Sequence, residues 1–207
     1  MKLRKFLILA AVAGLTFTSC NNNNKKQEDE NARNDSIQMA NQREAEMRAN
    51  EAKMQRESNS IASKAMDNQE LSTLTNALQS ADLATMLKQD EGPYTVFAPT
   101  NDAFNKVGQS KLDDLMKDEN QDKLKDILQY HVVKDSLTSD MLSQKIKDNN
   151  GTYKMNTAGG GEITASMQGN DIVLKDENGK TAKVVKADIN ASNGVIHEID
   201  AVLMKKQ

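Results

Sequence analysis

Tyr94-Thr-Val-Phe-Ala-Pro-Thr-Asn-Asp-Ala-Phe104 is the stretch that decides the fold of this 207-residue chain. It holds one of the two prolines and two of the four phenylalanines. Thr95, Val96 and Phe97 are β-branched or aromatic, the side chains that fit a pleated surface. Pro99 has no N–H to give a sheet ladder, so the strand ends there. Thr100 or Asn101 then caps a helix, since a short polar side chain can accept from the unpaired N–H groups of a first turn. Ala103, Phe104 and Val107 fall on the inner face of that helix. Strand, sharp turn and capped helix predict a rigid corner.

On the N-terminal side of this corner, Ile61, Ala62, Ala65 and Met66 predict one helix. Leu71, Leu74, Ala77 and Leu78 predict a second, at i, i+3, i+6 and i+7. Leu83, Met86 and Leu87 form a third, ended by Gly92-Pro93. On the C-terminal side, Leu112, Leu115 and Met116, then Leu124, Ile127 and Leu128, keep helical spacing. Beyond Asn149 the period changes to two. Strands are predicted over Thr152–Met155, Glu162–Met167, Asp171–Leu174 and Ala182–Val185. The turns between them are Gly159-Gly160-Gly161, Gly169-Asn170 and Asn178-Gly179. In a last strand, Val195, His197, Ile199, Ala201 and Leu203 alternate onto one face. Helices first and strands later imply an α+β fold rather than a parallel βαβ arrangement.

Three segments carry a family resemblance. Tyr94–Phe104 resembles the first box of the fasciclin (FAS1) domain. Lys186–Leu203, KADINASNGVIHEIDAVL, resembles the second. Leu124–Val133, LKDILQYHVV, resembles the helix and Tyr-His segment between them. They stand in the family's order and spacing, and the resemblance covers roughly residues 62 to 205, about one domain's worth of chain. It implies a compact FAS1-type β-sheet wedge with packed helices, in which the two boxes lie close together. In animal relatives the Tyr-His pair resembles an integrin-contact motif. That makes Tyr130 and His131 a candidate partner contact, beside the plainer reading of a structural pair.

The N-terminus reads as an export segment. Lys2, Arg4 and Lys5 precede a short apolar run, Phe6–Phe17, and the small residues Thr18 and Ser19. The run is too short to cross a bilayer about 30 Å thick. Cys20, the chain's single cysteine, follows at once, and Thr-Ser-Cys resembles the end of a bacterial lipoprotein signal. On that reading residues 1–19 are removed and Cys20 carries lipid. The competing reading is an ordinary signal with a chance cysteine. A lone cysteine also excludes an intrachain disulfide framework and a Cys-based zinc site.

Asn21–Asn34 is polar and of low complexity, and it is expected to be a disordered tether. Asp35–Ser60 has no Gly or Pro and is rich in helix formers. Ala40, Met47, Met54 and Ile61 recur every seven residues, but the companion positions Glu44, Glu51 and Ser58 are polar. One apolar residue per heptad is too few for a coiled coil, so a solvated single-helix stalk is expected. The domain organisation is therefore a signal peptide at 1–19, a lipidated cysteine, tether and stalk at 20–60, and a fasciclin domain at 61–207.

The formal net charge is −3, with no dominant basic patch, which argues against a nucleic-acid partner. No nucleophile elbow, metal-ligand spacing or phosphate loop is present. Gly159–Gly161 precedes no helix and reads as a plain loop. His197 sits among apolar residues and reads as a core histidine. Asp35-Ser36-Ile37 and Asp135-Ser136-Leu137 resemble a bacterial O-glycosylation pattern that is common by chance. No catalytic residue, cofactor or metal is expected. The expectation is a non-enzymatic, monomeric adhesion module at the cell envelope, lipid-anchored through Cys20, meeting a protein or glycan of the surface or matrix. The alternative is a periplasmic small-molecule or lipid carrier.

Overall fold

The computed structural model describes residues 22–90 and 92–206, with side chains from residue 33 on. Cys20 and the expected export segment lie outside the described residues. By contacts, the chain divides between Ala49 and Asn50 into two units.

Helix α1, Asn22–Ser58, runs across that division. It begins thirteen residues before the expected start at Asp35, inside the stretch expected to be a disordered tether. The reason is visible in the sequence: that stretch also lacks Gly and Pro, and nothing in it breaks a helix. Every described side chain from Arg33 to Ala49 is exposed. Ile37, Met39 and Met47 stand 57–60% exposed. This is the surface of a solvated helix. Arg48 and Glu44, four residues apart, pair at 3.4 Å in the open, where such a pair contributes little.

In the second unit, α2 (Ile61–Met66), α3 (Ser72–Ser80) and α4 (Ala84–Gln89) follow, with a 3₁₀ turn at Gln69–Leu71. They occupy the predicted positions, with Met66 of α2 exposed. Then come strand β1 (Tyr94–Pro99) and helix α5 (Asn101–Asn105). Thr100 is the cap: its Oγ1 accepts from the Ala103 N–H at 3.3 Å. Helices α6 (Gln109–Leu115) and α7 (Gln121–Tyr130) lead to the two-residue strand β2, Val132–Val133.

Helix α8, Ser139–Asp148, was not among the expected elements. Its signs are sparse: Thr138 caps it by accepting from the Met141 N–H at 3.3 Å, and only Leu142 and Ile146 are buried. Strands β3 (Thr152–Asn156), β4 (Glu162–Gln168), β5 (Asp171–Lys175), β6 (Thr181–Ala191) and β7 (Gly194–Ile199) complete the chain. Strand β6 is longer than predicted. It carries two irregularities, between Val184 and Lys186 and between Lys186 and Ile189. Such bulges shift a strand's inside–outside alternation and hide its length from a period-two reading. The last strand stops at Ile199. Ala201 and Leu203 are buried, but they follow the strand.

The sheet order is β2-β1-β7-β6-β5-β4-β3. A bridge between Val133 and Thr157 brings residues at its two ends together. The two boxes meet in its second and third strands, β1 and β7. β1 and β7 pair in parallel over six residues, from Tyr94 opposite Gly194 to Pro99 opposite Ile199. Gly194 is required there: at φ 151°, a Cβ would stand 1.9 Å from the Tyr94 carbonyl oxygen. Both faces of the pair are covered, as a parallel arrangement requires. Val96, Ala98 and Ile196 join the core under α2–α7. Phe97 and Ile199 join a second core with Leu142 and Ile146 of α8 and the inner residues of β3–β6.

Candidate binding groove

Helix α7 positions the two residues singled out as a partner contact. Leu124 and Leu128 hold it to the core, and it ends in Tyr130 and His131, which are 0% and 2% exposed. Both side chains face the interior, as the structural-pair reading expects. The Tyr130 hydroxyl donates to the Glu162 carbonyl at 2.6 Å. Burial pushes its pKa up to about 12, so it stays a protonated donor. The glycine run makes room for the ring. A Cβ on Gly161 would lie 2.6 Å from Tyr130 Cε2, and one on Gly159 would lie 2.9 Å from the Tyr130 backbone nitrogen. Gly159–Gly161 is thus the wall of the tyrosine's slot.

The histidines are neutral structural links. His131 Nδ1–H donates to the Ile127 carbonyl at 2.7 Å, and Nε2 accepts from the Leu203 N–H at 3.0 Å. A carbonyl can only accept and an amide N–H can only donate, so the neighbours fix the tautomer. Burial depresses the pKa to about 4. His197 takes the other tautomer. Nε2–H donates to the Leu137 carbonyl at 2.7 Å, and Nδ1 accepts from the Asp188 N–H at 3.3 Å. Its ring stacks on Phe97 with centroids 5.7 Å apart, and burial lowers its pKa too. The core-histidine reading of His197 agrees with this geometry.

Asp188 also accepts from the Ser139 N–H at 2.8 Å and from the Ser139 hydroxyl. Ser139, Asp188 and His197 are therefore close, but both ring nitrogens of His197 are committed to backbone. No nitrogen is left to take a proton from Ser139, so the cluster lacks the nucleophile–base contact of a hydrolytic triad. Among the described residues no group of three or more His, Cys, Asp and Glu could hold a metal ion. Likewise, none of their buried side-chain nitrogen or oxygen atoms lacks a partner.

A groove of about 1400 Å³ opens beside α7 in this unit. It is open along one side, which is why it exceeds the roughly 300–1,000 Å³ of ordinary ligand pockets. Its floor is aliphatic: Val107, Leu115, Ile127 and Met204, each half-buried. Five lysines stand around it, Lys111, Lys117, Lys123, Lys205 and Lys206, with three aspartates, Asp113, Asp114 and Asp126. Lys117 pairs with Asp114 at 2.8 Å. That hydrogen bond and charge lower the Asp114 pKa and raise that of Lys117. Lys123 donates to Asn120 Oδ1 at 3.1 Å, and Lys205 to the Gly159 carbonyl at 3.0 Å. The segment after Leu203 is tied down as the groove's other wall. Asn178 Nδ2 donates to the Met204 carbonyl, and the Lys206 N–H donates to Glu177, both at 2.9 Å. Backbone N–H groups of Lys206 and Glu162, followed by the charges of Lys205 and Lys206, hold the Glu177 carboxyl below its ordinary range.

Sequence reasoning did not find this groove. Val107, Leu115 and Ile127 were recognised as apolar helix positions, but helical spacing does not separate a fully covered residue from a half-covered one. The lysines come from positions 111 to 206 and share no local pattern.

A family model described as Fasciclin domain matches residues 69–205. Protein sll1483 of Synechocystis sp. is 40% identical over 148 residues, covering 70% of this chain and 72% of that protein. Cell surface glycolipoprotein MPB83 of Mycobacterium bovis is 31% identical over 147 residues, covering 70% of this chain and 60% of that one. Among solved structures, a FAS1 domain pair from the insect cell adhesion molecule Fasciclin I superposes with a TM-score of 0.64 at 20% identity. It covers 71% of this chain and 51% of the pair, and the likeness is one of fold. With the family model spanning most of the chain and the two boxes paired side by side in an α+β sheet wedge, the chain belongs to the fasciclin (FAS1) domain family.

Proposed function

We propose that this chain is an adhesion-type binding module of the cell envelope, held to a membrane by lipid on Cys20, and that it meets a protein or glycan partner. The observation that carries the reading is the fasciclin match over residues 69–205. Proteins of this family are adhesion or surface modules and not enzymes, and the chain is not an enzyme. A relative named as a cell surface glycolipoprotein supports an envelope location. The lipid anchor rests on the N-terminal pattern, in which the one cysteine falls where a lipoprotein signal needs it. Two or more acyl chains hold a protein to a membrane durably. Residues 61–207 are the proposed domain, and 20–60 the tether and stalk.

Fractionation of cells carrying Cys20→Ala tests the anchor. The variant is expected in the soluble fraction, with the parent in the membrane fraction. A variant that stays with membranes after a high-salt wash defeats the anchor. For the adhesion role, the parent immobilised on beads is expected to retain envelope or matrix glycan or protein. The second reading, a periplasmic carrier, is favoured by one observation: the aliphatic floor of the groove.

A further inference from the structure

We propose that the groove between α6, α7 and the C-terminal segment binds a single-headed amphiphilic anion of the long-chain fatty-acid class. The inference deepens the carrier reading and rests on it, while the adhesion reading stands or falls separately. Three features point to this chemistry.

First, the floor is aliphatic throughout, Val107, Leu115, Ile127 and Met204, with no aromatic ring in the lining. Stacking platforms for a sugar or base are therefore missing from the groove. A flexible alkyl chain needs no platform. It gains by removing its methylenes and the half-exposed floor from water together.

Second, cations outnumber anions around that floor, five lysines to three aspartates. Lys117 is neutralised by Asp114, whereas the ammonium groups of Lys111 and Lys206 have no ion pair among the described residues. An ammonium group is a compact charge on a flexible stem, able to swing over a carboxylate of varied position. Asp113 accepts a hydrogen bond from the neutral Gln109 side chain at 2.7 Å.

Third, the mixed rim selects for one head group. A polyanion with a charge on every unit would lie along Asp113 and Asp126 as well as along the lysines. A single carboxylate settles at a lysine and leaves the aspartates alone. A neutral lipid would leave Lys111, which has no ion pair among the described residues, without a counter-charge.

The test uses the full chain and displacement of a fluorescent polyene fatty acid, cis-parinaric acid. Palmitate is expected to displace it. Acetate, which has the head without the tail, and methyl palmitate, which has the tail without the charge, are expected not to. Lys111→Glu with Lys206→Glu, both exposed, is expected to weaken palmitate by about tenfold at low salt, with an unchanged melting curve. No displacement by palmitate overturns the proposal. So does equal displacement by methyl palmitate, or an affinity untouched by the two reversals. Displacement by polygalacturonate and not by palmitate would give the groove to an acidic glycan, overturning the fatty-acid assignment while agreeing with adhesion.

Discussion

Strand β1 and helix α1 are six and thirty-seven residues long, and they use their side chains in opposite ways. In β1 every residue after Tyr94 is buried. In α1, every described side chain from Arg33 to Arg56 is exposed. The strand is determined by neighbours distant in sequence: β7 on one edge, β2 on the other, and a core on each face. The helix is specified by composition alone and buries nothing between Arg33 and Ala49. The motif-dense segments of this fold are therefore its frame. The lining of the lysine-rimmed groove lies outside both boxes.

Truncating the frame is expected to give the largest effect. Phe97 is fully buried, stacks on His197 and belongs to the core closed by α8. Phe97→Ala should cost about 3–5 kcal/mol, the transfer term plus a cavity. A domain of this size commonly has only about 5–15 kcal/mol in hand, so the variant should stand near unfolding. An unshifted denaturant midpoint, combined with lost binding, would instead make the box a contact surface.

The order in which elements became legible follows the same contrast. Tyr94–Phe104 and the helices from Ile61 to Leu87 were readable because each carries its own period and its own stop, Pro99 or Gly92-Pro93. Helix α8 was not, since only Leu142 and Ile146 of its ten residues are buried. Strand β6 was legible only up to its first bulge, after Val184. Tyr130 and His131 stood out by family likeness, but exposure is a property of the assembled fold. Gly161 and Leu203, which make their slots, are remote in sequence and nothing local announces them. The groove was illegible for the same reason: its walls meet only after folding.

Acid should weaken the frame in a defined window. An unfolded histidine titrates near 6.5, whereas His131 in the fold binds its proton only near pH 4. Between those values the unfolded chain holds more protons than the folded one. Stability is therefore fully present above about pH 6.5 and is lost as pH falls toward 4. At about 1.4 kcal/mol per pH unit, His131 alone accounts for a loss on the order of 3 kcal/mol. His197, also depressed by burial, adds in the same direction. Urea melts at pH 7 and pH 5 check this. The midpoint should fall at pH 5, and by less in His131→Gln. A midpoint equal at both values would mean that His131 is not held neutral.

The smallest effect is expected where the helix joins the domain, and it tests where the solvated stalk ends. The division by contacts falls at Asn50, eleven residues before the boundary read from apolar periodicity at Ile61. The residues between have specific tasks. The carbonyls of Arg56 and Asn59 accept from the Ser192 hydroxyl and N–H, at 2.6 and 2.8 Å, in the turn joining β6 to β7. Ser60, fully buried, caps α2 by accepting from the Ser63 N–H at 3.3 Å. The Glu57 carbonyl accepts from Ser63 Oγ at 2.7 Å. A fragment of residues 50–207 keeps all of these bonds and should melt with the full chain, because the described side chains ahead of it, Arg33 to Ala49, are all exposed. A fragment of residues 61–207 loses one helix cap, about 1 kcal/mol, and net hydrogen bonds of about 1 kcal/mol each, partly replaced by water. It should fold, with a loss of about 2 kcal/mol. If the 50–207 fragment melts well below the full chain, α1 contributes to the domain before Asn50 and the contrast between helix and strand is too sharp. If the 61–207 fragment melts with the full chain, the last two turns of α1 are stalk and the boundary at Ile61 stands.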